Sequence, residues 1–130
     1  MFRPFIQLLR GLEGKPQGPA TTVNAAEFHL KYRDIEVGRL YSRDGKWCFE
    51  YSERFKQQDR VAPLADFPNK EKIYEMEDLW PFFASRIPSF EQPRVRETIR
   101  SEKIDRRNSA ELLRRFGKRS ISNPFVLESV

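Results

Sequence analysis

Cys48 and His29 are the one thiol and the one imidazole of the chain, so Cys–His nucleophilic catalysis would have to run through that pair. The surroundings speak against it. Cys48 stands between Trp47 and Phe49 in a stretch of strand-forming residues, where a cysteine acts as a small buried hydrophobe rather than an activated thiolate. A single Cys and a single His also exclude an internal disulfide and an ordinary zinc ligand set. Glu75, Glu77 and Asp78 cluster, but capping and the helix dipole account for carboxylates ahead of a helix without general acid chemistry. Neither a glycine-rich phosphate loop nor a GxSxG elbow nor a kinase catalytic signature occurs. The chemistry of the chain therefore predicts a protein that is not an enzyme, with no metal and no cofactor.

Charge leaves a second possibility, which is binding. Between Arg94 and Arg119 ten Lys or Arg stand against four acids, a local net charge of +6 where the whole chain carries +5. Such a segment is suited to phosphates or to an acidic partner surface. Solvated outer faces of two helices are the plainer reading of the same run. No exposed aromatics interleave with these cations in the manner of single-strand binders.

Those residues need elements to hold them, and the first half of the chain reads as a small sheet. "FHLKY", "EVGRLYS" and "KWCFEY" are rich in aromatic and β-branched residues, and Asp44-Gly45 joins the last two. That dipeptide suits a type I′ hairpin turn, which needs positive φ at both central positions. The register then sets Leu40 opposite Phe49, Gly38 opposite Tyr51 and Ser42 opposite Trp47. Leu40, Trp47, Phe49 and Tyr51 share the core face, with Gly38 leaving room for the Tyr51 ring, while Cys48 and Glu50 point away. Ser52 caps a short helical turn that returns Phe55 to the core, and "APLADFPNKEKIYEME" reads as an irregular extended connection.

Helices follow. Glu77 or Asp78 caps the first, Pro81 falls in its first turn, and Leu79, Phe82, Phe83 and Ile87 form an apolar stripe that Pro88 ends. A second helix spans about Arg94 to Ile104 on Val95 and Ile99, and a third spans Ser109 to Phe116 on Leu112, Leu113 and Phe116, with Gly117 expected as a left-handed cap. "ISNPFVLESV" reads as a last short strand that Pro124 confines to an edge or loop. Residues 1–27 read as a leader, an amphipathic stretch over Phe5, Ile6, Leu8, Leu9 and Leu12 followed by a Pro/Gly linker. Residues 28–130 form one α+β domain, a small antiparallel sheet packed against three to four helices. With no apolar run of 18 residues and no secretory signal pattern, the chain is expected to be soluble and cytoplasmic, without a membrane partner.

In this order the motifs resemble the N-terminal subdomain of HipA-like serine/threonine kinases, the toxins of bacterial persistence modules. The matching positions are Val37, Gly38 and Leu40; Phe49 and Tyr51; Pro63, Leu64 and Pro68; Phe82, Phe83, Ile87, Pro88 and Arg94; and Leu112, Leu113 and Gly117. "SRIPSFEQPR" and "SISNPF" depart from the family pattern, and the leader has no counterpart in it. The chain stops where such a kinase would continue into its catalytic core, so the resemblance carries no ATP-binding or catalytic residue.

A free-standing copy of this subdomain is similar to the small antitoxin component of tripartite HipBST toxin–antitoxin modules. The resemblance implies a non-catalytic antitoxin that binds and inhibits a HipA-like kinase lacking this subdomain, in a complex that includes a helix-turn-helix DNA-binding partner. Trp80, Pro81, Arg86 and Arg94 are the expected partner contacts. Phe82 and Phe83 would hold Trp80 outward, where it anchors in the kinase and blocks its ATP site if it reaches it; the alternative is that Trp80 covers the edge of its own core. An activating subunit of a split kinase and a nucleic-acid-binding accessory protein using residues 94–119 are the competing expectations.

Overall fold

The computed structural model describes residues 26–130; the expected leader helix and its linker lie outside the described residues. Three strands open the domain: β1 (Glu27–Tyr32), β2 (Ile35–Arg43) and β3 (Lys46–Tyr51). Asp44 and Gly45 turn between β2 and β3 with φ of 54° and 77°, the positive pair that Asp-Gly supplies at low cost. Leu40 faces Phe49, Gly38 faces Tyr51 and Ser42 faces Trp47 as the hairpin register predicts. A bulge displaces the β1–β2 pairing after Leu30 and inserts Val37, which is fully buried.

Beyond β3 the chain makes α1 (Glu53–Lys56), β4 (Tyr74–Met76), α2 (Pro81–Ala84), α3 (Pro93–Ser101), α4 (Ser109–Phe116) and β5 (Val126–Ser129). The five strands form one antiparallel sheet in the order β4-β3-β2-β1-β5, with the helices making the domain α+β. Ser52 caps α1 by accepting the Phe55 N–H at 3.0 Å, and Asn108 caps α4 by accepting that of Glu111 at 3.0 Å. β5 takes an edge, with Pro124 just ahead of it, so the missing N–H interrupts no ladder.

The apolar face of the sheet carries the main core. Phe28, Leu30, Leu40, Trp47, Phe49 and Tyr51 meet Phe55, Phe67, Phe83 and Leu113 from the segments that cross it. Burying each such side chain contributes roughly 1.5–3 kcal/mol. A smaller core of Val95, Ile99, Ile104 and Leu112 joins α3 to α4. Ala110 and Leu113 of α4 face the first core while Leu112 faces the second, so α4 ties the two together. The opposite sheet face is polar: Lys31 pairs with Glu128 at 2.9 Å, and Arg39 with Glu50 at 2.9 Å and Glu27 at 3.3 Å.

Several expectations are corrected. The helix expected from Glu77 or Asp78 begins later and is a single turn, because Trp80, not a carboxylate, occupies the N-cap and makes no side-chain cap bond. Tyr74–Met76, read as irregular, adds to β3 as an edge strand. Gly117 is not left-handed, with φ of −94°. Its need for glycine is steric, since a Cβ would lie 2.8 Å from both the Leu113 carbonyl oxygen and the Leu113 side chain. Gly38 makes room for the Phe49 ring rather than for Tyr51, with a Cβ reaching within 2.8 Å of Phe49 and 2.5 Å of the Glu50 carbonyl. Phe82 and Phe116 are only partly buried, packing at the margins of the two cores.

The left-handed cap sits at the end of α3 instead. Ile104 N–H donates to the Ile99 carbonyl at 2.9 Å and Lys103 N–H to that of Arg100 at 3.3 Å. Ile99 and Ile104 touch in the smaller core, completing a Schellman motif. The residue at its left-handed position is Lys103, with φ of 57°. A side chain there costs roughly 1–2 kcal/mol relative to the right-handed region.

Candidate functional site

The two residues that a Cys–His mechanism would need are held apart. His29 on β1 lies 3.6 Å from Glu27 and 3.3 Å from Glu36. Cys48 lies on β3, across the intervening β2, and two strand spacings amount to about 10 Å. Its thiol contacts Glu75 at 3.9 Å and is fully buried beneath the polar face. That burial pushes the thiol pKa up, opposite to what a nucleophile requires. No cluster of three metal-ligating side chains occurs among the described residues.

Of the four expected partner contacts, two turn inward. Trp80 is 7% exposed and packs edge-on against Phe67, ring centroids 5.0 Å apart, and against Phe83 at 6.5 Å. Of the two expectations for Trp80, the one in which it covers the edge of its own core holds, and the one in which Phe82 and Phe83 hold it outward is overturned. Phe67, which no local pattern marks as core, occupies the middle of the aromatic cluster and gives the indole a ring to cover.

Arg86 is 4% exposed, and its guanidinium spans the end of α2 and the segment leading into β5. It donates to the carbonyls of Gly117 at 3.1 Å, Lys118 at 3.2 Å and Phe125 at 2.9 Å, and to Asn123 Oδ1 at 3.0 Å. Burial lowers its pKa, and four neutral oxygens stand where a carboxylate would be expected. Arg86 is a structural clamp rather than a partner contact. Pro81 and Arg94 are exposed.

Tyr51 is a second clamp. Its hydroxyl donates to the Phe67 carbonyl at 2.7 Å and accepts the Leu64 N–H at 2.8 Å, pinning "PLADFP" onto the sheet. Burial pushes its pKa up to about 12.

The exposed surface includes an apolar patch and a basic one. One is the β4 edge: Ile73 is 51% and Met76 43% exposed, with Glu75, Glu77 and Asp78 exposed beside them. β4 ends the sheet, so its outer edge has no strand partner among the described residues. The other is the basic run. Arg96, Arg100, Lys103 and Arg106 line an open concavity of about 870 Å³ together with Glu97 and Asp105. Arg100 pairs with Glu97 and Arg107 with Asp105, while Arg115 grips Glu102 through its Nε at 2.9 Å and its Nη2 at 3.1 Å. Arg96, Lys103 and Arg106 form no ion pair among the described residues. No helix among them is long and apolar enough to cross a membrane.

Residues 29–122 match the family model of the HipA N-terminal domain. Among solved structures the chain is similar to one described as the N-terminal domain of HipA toxin, with a TM-score of 0.55 and 14% identity over 85% of this chain and 97% of that one. At that identity the likeness speaks for the fold. No curated protein matches.

Proposed function

The chain belongs to the HipA N-terminal domain family, and from that premise we propose that it is a non-catalytic antitoxin that docks in trans on a HipA-like serine/threonine kinase and holds it inactive. The kinase in this reading lacks its own copy of the domain, and a helix-turn-helix DNA-binding protein completes the complex. The observation that carries the docking is the β4 edge, where Met76 on the strand and Ile73 just before it expose apolar surface beside an outer strand edge that has no partner among the described residues. Soluble domains usually blunt such edges, and an edge left apolar suits strand addition or a flat apolar contact. Pro81 and Arg94, exposed on α2 and α3, are secondary contacts. Buried Trp80 is assigned to support of the α2 corner, so inhibition rests on locking the kinase lobe rather than on an indole entering its nucleotide cleft.

The test is titration of the chain into such a kinase while autophosphorylation and ATP binding are followed. Stoichiometric loss of activity is expected, and Ile73→Asp with Met76→Asp should weaken binding by at least about tenfold, the scale of one modest interface contact. A rise in activity would make the chain the completing subunit of a split kinase. Absence of any binding would remove the proposal.

A further inference from the structure

We propose that the concave face carried by α3 and the turn that follows it binds the phosphate backbone of double-stranded nucleic acid. This does not depend on the kinase reading, since the cations that line the concavity, Arg96, Arg100, Lys103 and Arg106, are not among the contacts assigned there. Arg96 and Arg100 stand at i and i+4 on one face of α3, and Lys103, just beyond the end of the helix, lines the same concavity. Arg106 joins them from the next turn, its guanidinium 5.4 Å above the Phe90 ring. Val95 and Ile99 face inward, which forces the charged side of the helix outward.

Two features run against local stability and make sense if the face meets an anion. Arg94 and Arg96 stand in the first turn of α3, which contains no acid, although cations at that end oppose the helix dipole. Lys103 occupies a left-handed position at φ 57°, where glycine is the unstrained choice. Strain of this kind is tolerated where a side chain is needed for function.

The chemistry of the face favours nucleic acid over a folded protein. Protein interfaces are depleted of charge at their centre, yet here four cations outnumber the carboxylates of Glu97 and Asp105, Glu97 pairing with Arg100, and the apolar lining, Ile99 and Ile104, is 5% and 8% exposed. Interfaces with nucleic acid are polar and strongly positive. No aromatic is among the exposed large hydrophobics of the described residues, so the stacking platforms of single-strand binders are missing. Backbone contact by these cations predicts binding without sequence preference.

The experiment is fluorescence anisotropy of short labelled DNA and RNA duplexes with the whole chain, titrated with salt from about 50 mM. Binding of either duplex is expected, with log K falling linearly against log salt by about 0.9 for each phosphate neutralised. Lys103→Gly should lower the salt slope by about one while raising the melting temperature by a few degrees, about what relief of the strained φ allows. A purely structural lysine would not couple a firmer fold to weaker binding. Arg96→Gln with Arg100→Gln should lower the slope by about two, whereas Arg54→Gln on α1 should leave it unchanged. The proposal is overturned if no duplex binds at low salt, if the groove substitutions leave the slope intact, or if a polyglutamate peptide of equal charge displaces the duplex as well as unlabelled duplex does. The last result would assign the face to an acidic protein partner.

Discussion

A hydroxyl and a guanidinium explain more of how this domain is held together than its cysteine and histidine do. Tyr51 satisfies one donor and one acceptor of the "PLADFP" segment with a single oxygen, and buried groups left unpaired cost about 1–3 kcal/mol each. Its raised pKa carries a pH signature. The folded value is about 12 against an ordinary 10, so the neutral hydroxyl is favoured in the folded state. That contribution is complete below pH 10 and fades as pH rises from there to about 12. Tyr51→Phe is therefore expected to unfold more easily at neutral pH by roughly 1–3 kcal/mol. It should also lose the part of the alkaline stability decline that belongs to this group. Urea melts of both proteins at pH 7 and above pH 10 check both statements; equal alkaline slopes would count against the assignment. Arg86 shows why residue type alone misleads. An arginine near a helix end invites a reading as a contact for an acidic partner, and only its four oxygen acceptors reveal a brace between α2 and the approach to β5.

At the scale of elements, the hairpin β2–β3 was readable because period-two alternation and Asp-Gly act within a few residues of each other. The same locality made α3 and α4 legible through Val95, Ile99, Leu112 and Leu113. What Gly38 accommodates was not legible, since Phe49 and the Glu50 carbonyl reach it from the neighbouring strand. Gly38→Ala should force those strands apart and destabilise by about 1–3 kcal/mol, the usual scale of overpacking. A melting temperature equal to that of the unsubstituted protein would mean that the strand can shift without penalty. β4 escaped notice for a related reason: Tyr74, Glu75 and Met76 form a three-residue strand whose pairing with β3 is supplied by its partner rather than by its own pattern.

For the whole molecule, the arrangement separates two surfaces. β4 lies at one end of the sheet order, while α3 belongs to the smaller core that α4 joins to the larger one. Substitutions on elements that share no partners act additively. The Ile73→Asp and Met76→Asp protein is thus expected to keep its duplex affinity, and the Arg96→Gln and Arg100→Gln protein its kinase affinity. Anisotropy and kinase titration on both variants measure this directly. If either pair of substitutions lowers both affinities, the two surfaces are one.

By itself the sequence determined the α+β class, the β2–β3 register, the positions of α3 and α4, the family resemblance, and the poor prospects of Cys48 and His29 as a catalytic pair. All of these rest on contacts close in the chain or on residue types that are simply scarce. Tertiary structure alone decided that Trp80 and Arg86 face inward. Phe67 and the carbonyls of residues 117, 118 and 125, distant in the chain, create the places those side chains fill. It also decided that an apolar edge at Ile73 and Met76 and a basic concavity around Lys103 lie exposed. Exposure is what remains after the core has taken its share, and no local pattern records that remainder.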